Sequence, residues 1–250
     1  MKERGALEIG QAGVVDAAAW WTFDDQQIAE SQSIGDETGN GNTLFVEGTR
    51  VTPVPGTLGG AFEFAPGQGN LRLLDPKKLA MGAGDYAVSL WIKRTASTAM
   101  AGRIFDFGGG TRGEWEHWGQ PVNEAASAGL TISSGDYGVD ALFRNGTRSY
   151  LVKAAGLSLP DQWHHVVVNV ARDRTVTLWI DGERRDSVPI SESAERDIQP
   201  SETLFIAKSG SVDHPNLHWS GAVDQLRVYR RALSNEEIKA LFGENVSPRE

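Results

Sequence analysis

The feature that most constrains this chain is a side-chain period of two. In Tyr86-Ala-Val-Ser-Leu-Trp-Ile-Lys93, Val88, Leu90 and Ile92 fall on one face; in Thr175-Val-Thr-Leu-Trp-Ile-Asp181, Val176, Leu178 and Ile180 do the same. An extended strand, with successive side chains on opposite faces, aligns such residues. Trp163-His-His-Val-Val-Val-Asn-Val170 is a β-branched run too continuous for a strand with one face in water. Shorter runs over 17–23, 61–64, 70–74, 103–107, 128–133, 139–144, 149–153, 203–208 and 218–229 bring the strand candidates to a dozen. Turn signals stand between them at Gly39-Asn-Gly41, Gly108-Gly-Gly110, Asn145-Gly146 and Asp181-Gly182. Asn-Gly and Asp-Gly between alternating runs are strong hairpin signals, because both tolerate positive φ. Many short strands with regular turns predict a sandwich, jelly roll or barrel.

One helix is predicted, over Ser234–Phe242. Ser234 with Glu237 three residues on makes a capping box, and Leu233 with Ile238 makes a hydrophobic staple. Gly243 is placed for a C-terminal stop. Ile238, Leu241 and Phe242 form one apolar stripe, which reads as a lid over one end of the sandwich. The intervals Gly108–Ser127 and Arg184–Thr203 read as loops.

Composition narrows the function classes. The chain has 250 residues and no cysteine, which removes thiol nucleophiles, thiol redox chemistry and thiolate metal sites. With 24 Lys and Arg against 33 Asp and Glu, the net charge of −9 argues against a nucleic-acid partner, which needs a clustered basic patch. Val14–Trp21 is too short an apolar stretch for membrane insertion. Residues 1–13 lack the apolar stretch of a secretory signal and read as an N-terminal extension; 14–243 reads as one domain and 244–250 as a tail. Such ends suit a module within a larger protein.

The ordered set of segments resembles the laminin-G-like, or concanavalin A-like, lectin and glucanase domains. The resemblance rests on Trp20-Trp-Thr-Phe-Asp24, Asp36-Glu-Thr-Gly-Asn-Gly-Asn42, Gly59-Gly-Ala-Phe-Glu-Phe64 and Tyr86–Lys93. It continues through Gln162-Trp-His-His-Val-Val-Val168, Leu178-Trp-Ile-Asp-Gly-Glu183, Ser220-Gly-Ala-Val-Asp-Gln-Leu-Arg-Val-Tyr229 and Arg231-Ala-Leu-Ser-Asn-Glu-Glu-Ile238, and so spans residues 15–243. It implies an all-β, two-sheet antiparallel jelly-roll sandwich with one short C-terminal helix, in an extracellular, cell-surface or periplasmic protein. Members bind sugars, bind proteins, space other domains or pack against a catalytic neighbour, so the fold does not settle function.

Two candidate sites follow. Strand parity places Asp224 on the face of Leu226 and Val228, where a carboxylate needs a partner or a metal. Asp24 ends the first strand, and Asp36–Asn42 is rich in glycine and side-chain oxygen, the ligand type that Ca²⁺ takes. Members of the resembled family often hold a structural Ca²⁺ where the first and last strands meet, which implies Asp24, Asp36, Asn40, Asn42 and Asp224 as ligands. The alternative is that Asp224 pairs with an arginine or caps a turn. The second site is the loop Glu114-Trp-Glu-His-Trp118, where Trp115 and Trp118 offer stacking faces to a sugar. Glu116, His117 and Asp213 offer hydrogen bonds to a glycan or polysaccharide partner. The alternative is that the tryptophans fold back as packing.

Other chemistry is weaker. Glu114 and Glu116 lack the Asp and final Glu of the Glu-x-Asp-x-x-Glu motif of the resembled glucanases. His164 and His165 are adjacent and point to opposite faces, so they cannot chelate one ion. His214 and His218 are four apart, but Pro215 prevents the helix that would align them, and Trp219 is expected in the core. The leading expectation is a non-catalytic carbohydrate-binding or accessory module stabilised by calcium. The alternatives are a protein-interaction or spacer module, and a polysaccharide-degrading enzyme with a His/Tyr/Arg or paired-Glu cluster on the concave sheet.

Overall fold

In the computed structural model, which describes residues 16–24, 32–48, 50–95, 102–108, 128–145, 148–157, 161–190, 204–210 and 217–244, two antiparallel sheets enclose one core. Sheet I runs in spatial order β14 (Glu183–Pro189), β13 (Thr175–Ile180), β12 (Trp163–Ala171), β7 (Tyr86–Arg94), β16 (Gly221–Tyr229), β5 (Gly60–Phe64) and β4 (Val51–Pro55). The short β1 (Ala19–Trp21) also pairs with β16. Sheet II runs β11 (Ser149–Ala155), β10 (Gly138–Arg144), β9 (Gly129–Gly135), β8 (Gly102–Phe107), β15 (Leu204–Ile206), β6 (Gly69–Leu73), β3 (Leu44–Gly48) and β2 (Ser33–Ile34).

The period-two faces become the core. Val88, Leu90 and Ile92 from β7, and Val176, Leu178 and Ile180 from β13, face Leu130, Ile132, Val139, Ala141 and Phe143 of sheet II in one buried cluster. Trp219 joins it at 1% exposure. The continuous apolar run of β12 has a direct cause. Val166, Val168 and Val170 enter that core, while Val167 enters a second cluster on the outer face of sheet I.

That second cluster is covered by α1 (Asn235–Gly243). The capping box forms: the Glu237 amide donates to Ser234 Oγ at 3.2 Å, and the Ser234 amide donates to Glu237 Oε2 at 2.7 Å. Leu233, Ile238 and Leu241 pack on Ala87, Val167, Trp179 and Tyr229. Phe242 stacks on Trp91 at 5.7 Å. The helix therefore lies on the outer face of sheet I rather than over one end of the sandwich, because the apolar outward positions of β7, β12 and β13 provide its platform. Gly243 stays inside the helix; Glu244, in αR conformation, closes it by donating to the Ala240 carbonyl at 2.9 Å.

Arg184–Thr203 is not wholly a loop, since β14 occupies its first part. This is an edge strand of mostly exposed, charged residues, so it carries no apolar alternation. The edge strand β4 was equally hidden by Pro53 and Pro55, which an edge tolerates and a central strand does not.

Candidate functional site

The outer face of sheet II is polar where the part of sheet I beneath α1 carries the apolar cluster of Ala87, Val167, Trp179 and Tyr229. On β9 and β10, Leu130, Ile132, Val139, Ala141 and Phe143 go to the core, leaving Thr131, Ser133, Asp140, Leu142 and Arg144 on the other face. On β8 a bulge shifts the register between Arg103 and Phe105. Residues three apart in a regular strand face opposite ways; the extra residue brings Arg103 and Asp106 to the same side. Register then aligns His218, Arg103, Ser133, Asp140 and Lys153 in one row across the sheet. A second row holds Phe45, Arg72, Phe205, Asp106, Thr131, Leu142 and Leu151.

These groups orient one another. Arg103 Nε lies 3.5 Å from Asp106 Oδ2, with both side chains buried, and Arg103 Nη1 donates to Ser133 Oγ at 2.9 Å. Asp106 Oδ2 also accepts from the Gly210 amide at 3.1 Å. Tyr137, exposed at 42%, donates its hydroxyl to Asp140 Oδ2. Burial raises the Asp140 carboxyl above its ordinary range against the pull of Tyr137, Arg103 and Lys153. Phe45, Phe205, Leu142 and Leu151 remain half-buried beside this network. A sugar, with apolar C–H faces and a rim of hydroxyls, matches such a mixture of fixed polar groups and apolar patches.

A second cluster forms at the middle of β16. One edge of that strand pairs with β5 over Gly221–Val223 and with β1 over Leu226–Val228. Between them the register shifts, and Gln225 takes φ 48. Val223 and Leu226 both enter the core, so Asp224 does not share the face of Leu226 and Val228; the bulge breaks the parity on which that expectation stood. Asp224 Oδ2 accepts from the Thr57 amide at 2.7 Å and from Thr57 Oγ1 at 2.8 Å, while its Oδ1 is buried without a donor. Burial pushes its carboxyl up to about 6, with the Thr57 hydrogen bonds opposing. Asp24 Oδ1 accepts from the Gly60 amide at 2.7 Å at the same turn. A Cβ at Gly56 would strike Asp224, and one at Gly59, which has φ +71, would strike Asp24. The turn Gly56–Gly60 is thus clasped between two carboxylates.

The five residues expected around calcium divide into two groups. Asp24 and Asp224 meet at the Gly56–Gly60 turn. Asp36, Asn40 and Asn42 build a different one: Asp36 Oδ1 accepts from the Thr38 amide at 2.9 Å, and both asparagines donate to the Ala18 carbonyl. Among the described residues no three His, Asp or Glu side chains gather as a metal cluster. The turn presents its Thr57, Leu58 and Gly60 amides to these two carboxylates, its Gly59 carbonyl accepts from the Gly56 amide, and Asp224 Oδ1 is the oxygen left there for a cation. Trp115, Glu116, His117, Trp118 and Asp213 lie outside the described residues; Gly108 and Ala128, on either side of the tryptophan stretch, adjoin the ends of β8 and β9. His164 and His165 do diverge. His164 Nδ1 meets Asp181 Oδ2 at 2.8 Å, and His165, buried with its imidazole held at about 3 by desolvation, meets Ser89 Oγ at 2.8 Å.

A family model described as the concanavalin A-like lectin/glucanases superfamily matches residues 66–239. No curated protein matches the sequence. Among solved structures, the binding domain of Paraclostridial Mosquitocidal Protein 1 superposes with a TM-score of 0.67 at 18% identity, over 94% of this chain and 52% of that one. A botulinum neurotoxin type C structure, whose description makes cell entry depend on two ganglioside molecules, gives 0.64 at 13% identity, over 93% and 52%. Domain 4 of AbnA, an extracellular arabinanase from Geobacillus stearothermophilus, in complex with arabinotriose, gives 0.63 at 20% identity, over 90% and 98%. This chain spans about half the length of the toxin chains it matches. At these identities the likeness is one of fold.

Proposed function

The chain belongs to the concanavalin A-like lectin/glucanases superfamily, and from that premise we propose that it is a non-catalytic carbohydrate-binding module of an exported protein, with its glycan on the outer face of sheet II. The observation that carries this reading is the network of Arg103, Asp106, Ser133 and Asp140, buried and mutually oriented on a sheet face that also presents Phe205 and Leu142. The buried network fixes the exposed Tyr137 through Asp140 at low entropic cost, and the half-buried apolar side chains take the sugar's C–H face. The AbnA domain with its arabinotriose gives the reading support from a module of similar size.

Trp115 and Trp118 add stacking to this proposal, with Glu116, His117 and Asp213 as hydrogen-bonding partners. Ca²⁺ would be held by the Asp24 and Asp224 carboxylates, tying β1 to β16 and serving stability. A glycan and polysaccharide array, run with Ca²⁺ and with a chelator, tests the whole. Binding is expected, with loss or weakening in chelator. A blank array on folded protein overturns the reading in favour of a protein-interaction or spacer module. Replacing Trp115 and Trp118 together by Ala is expected to abolish array binding with the melting temperature nearly unchanged; a large fall in melting temperature would make them packing.

One observation favours the enzyme reading as second choice. Arg103, His218 and Tyr137, distant in sequence, gather on one face of sheet II. Burial, then Lys208, lowers the His218 imidazole and so favours its neutral form. Shortening of any polysaccharide that binds, lost on His218→Ala, would establish this reading in place of the first.

A further inference from the structure

A cleft of about 590 Å³ opens among the segments that flank β1, β3, β6 and β16. It is bounded by Asp16 and Ala18 ahead of β1, Asn40 and Asn42 ahead of β3, Lys78 after β6, and Arg230 directly after β16. The volume is that of a small-molecule site, and none of the sheet II residues described above lines it.

Its charge runs against that of the chain. Arg230 Nη2 donates to the Lys78 carbonyl, and Lys78 Nζ donates to the Gly41 carbonyl at 3.2 Å. Both cations are therefore positioned by neutral acceptors and keep their charge; among the described residues neither is paired with a carboxylate. Asp16, the one acid at the rim among the described residues, lies 3.6 Å from Arg231 instead. Gly41 has φ +73, and a Cβ there would approach Lys78 Nζ to 3.2 Å, so glycine leaves the ammonium its room. In a chain of net charge −9, two cations on one cleft, neither paired with a carboxylate among the described residues, form a local site for an anion.

The remaining wall is amide. Asn42 is 2% exposed; its Nδ2 donates to the Ala18 carbonyl at 2.9 Å, and its Oδ1 is buried without a donor. Asn40, exposed beside it, donates to the same carbonyl at 3.1 Å, which leaves it a second amide hydrogen and its carbonyl oxygen. Amides beside cations suit a ligand that carries hydroxyls next to a carboxylate. Guanidinium and ammonium take the carboxylate, the guanidinium through two parallel bonds, and the asparagines take the hydroxyls.

We propose that this cleft binds an acidic sugar, a hexuronate residue of a glycan, with Arg230 and Lys78 on its carboxylate and Asn40 on its ring hydroxyls. The sugar half of this assignment rests on the carbohydrate-binding reading; the carboxylate half does not.

The test is a ¹H–¹⁵N chemical-shift titration of the full chain with glucuronate, and in parallel with glucose and with acetate. Saturable shifts at the Asn40, Asn42 and Lys78 amides are expected with glucuronate, with glucose and acetate each at least about tenfold weaker, the worth of one charge-assisted contact. Arg230→Gln and Lys78→Gln are each expected to weaken glucuronate by about tenfold or more on the same grounds, while Lys78→Arg holds it within about threefold. Acetate binding as tightly as glucuronate would overturn the sugar assignment. Absence of shifts, shifts confined to sheet II, or unchanged affinity in both Gln variants would overturn the site. Phe205→Ala, on sheet II, separates this from the reading above. Glucuronate binding that survives Phe205→Ala while array binding falls supports two sites, and glucuronate binding lost in Phe205→Ala sinks the cleft.

Discussion

The two outer faces of the sandwich solve one problem in opposite ways. Both sheets present a surface that the shared core does not cover. Sheet I fills its outward positions with Ala87, Trp91, Val167 and Trp179 and closes them with the protein's own helix. Sheet II fills the equivalent positions with Arg103, Asp106, Ser133 and Asp140, which bond laterally to one another and to Tyr137. An apolar face needs an apolar cover, whereas a polar face can be held by hydrogen bonds among its own side chains, as the buried Arg103, Asp106, Ser133 and Asp140 are. The difference separates the face sealed by the helix from the face on which we place the glycan, at half-buried Phe205 and Leu142 and exposed Tyr137.

The sharpest way to break this comparison is to attack each face and read both stability and binding. Ile238→Ala should cost about 2–4 kcal/mol of unfolding free energy, because it removes a fully buried anchor of the helix. Glycan affinity per folded molecule should not move. Denaturant titration with an array assay checks both, and a change in affinity at constant fold would link the two faces.

Next in size is the pH dependence at Asp224. Its folded carboxyl is pushed up to about 6, whereas in the unfolded chain it titrates near the ordinary aspartate value of about 3.9. Between these values the folded state binds the extra proton, so stability falls as pH rises through about 4–6, by about 3 kcal/mol in all. Melting in chelator should show this decline, and Asp224→Asn should flatten it. Ca²⁺ should restore stability at pH 7 more than at pH 5, since protons and the cation compete for one carboxylate. A wild-type curve as flat as that of the variant would contradict the burial argument.

Smaller effects belong to sheet II. Phe205→Ala should weaken glycan binding by about tenfold with a modest loss of stability, because the ring is only half-buried. Thr131→Val should change stability by less than about 1 kcal/mol or raise it, since the Thr131 hydroxyl is buried without a partner. A larger loss would mean that this hydroxyl is bonded in solution.

Much of the fold was legible because alternation is a property of sequence. Val88, Leu90 and Ile92 declared a core face, and the continuous valines of β12 declared a strand covered on both sides. The capping box at Ser234 was equally local. The polar alternation of Thr131, Ser133 and Asp140 against Leu130, Ile132 and Val139 was visible too, but it reads as an ordinary wet face. Two bulges decide the rest. One turns Arg103 and Asp106 to the same side; the other frees Asp224 from the parity of Leu226. A bulge is one residue of slip between paired strands, and neither strand alone carries the register. Gln225 in the left-handed region gave no warning, since glutamine is an ordinary strand residue. The cleft of Lys78 and Arg230 was invisible for a related reason, because its walls come from segments that meet only when β1 pairs with β16.

That last pairing also sets an order of events on the ribosome. Ala19 has its ladder partner in Val228, roughly two hundred residues downstream. At about 5–20 residues per second, β1 emerges and waits about 10–40 s before β16 exists to receive it. Until then Trp20 and Trp21 have no strand to lie against, and the sandwich has an open seam. The nascent domain is closed by its own beginning, once its end has been made.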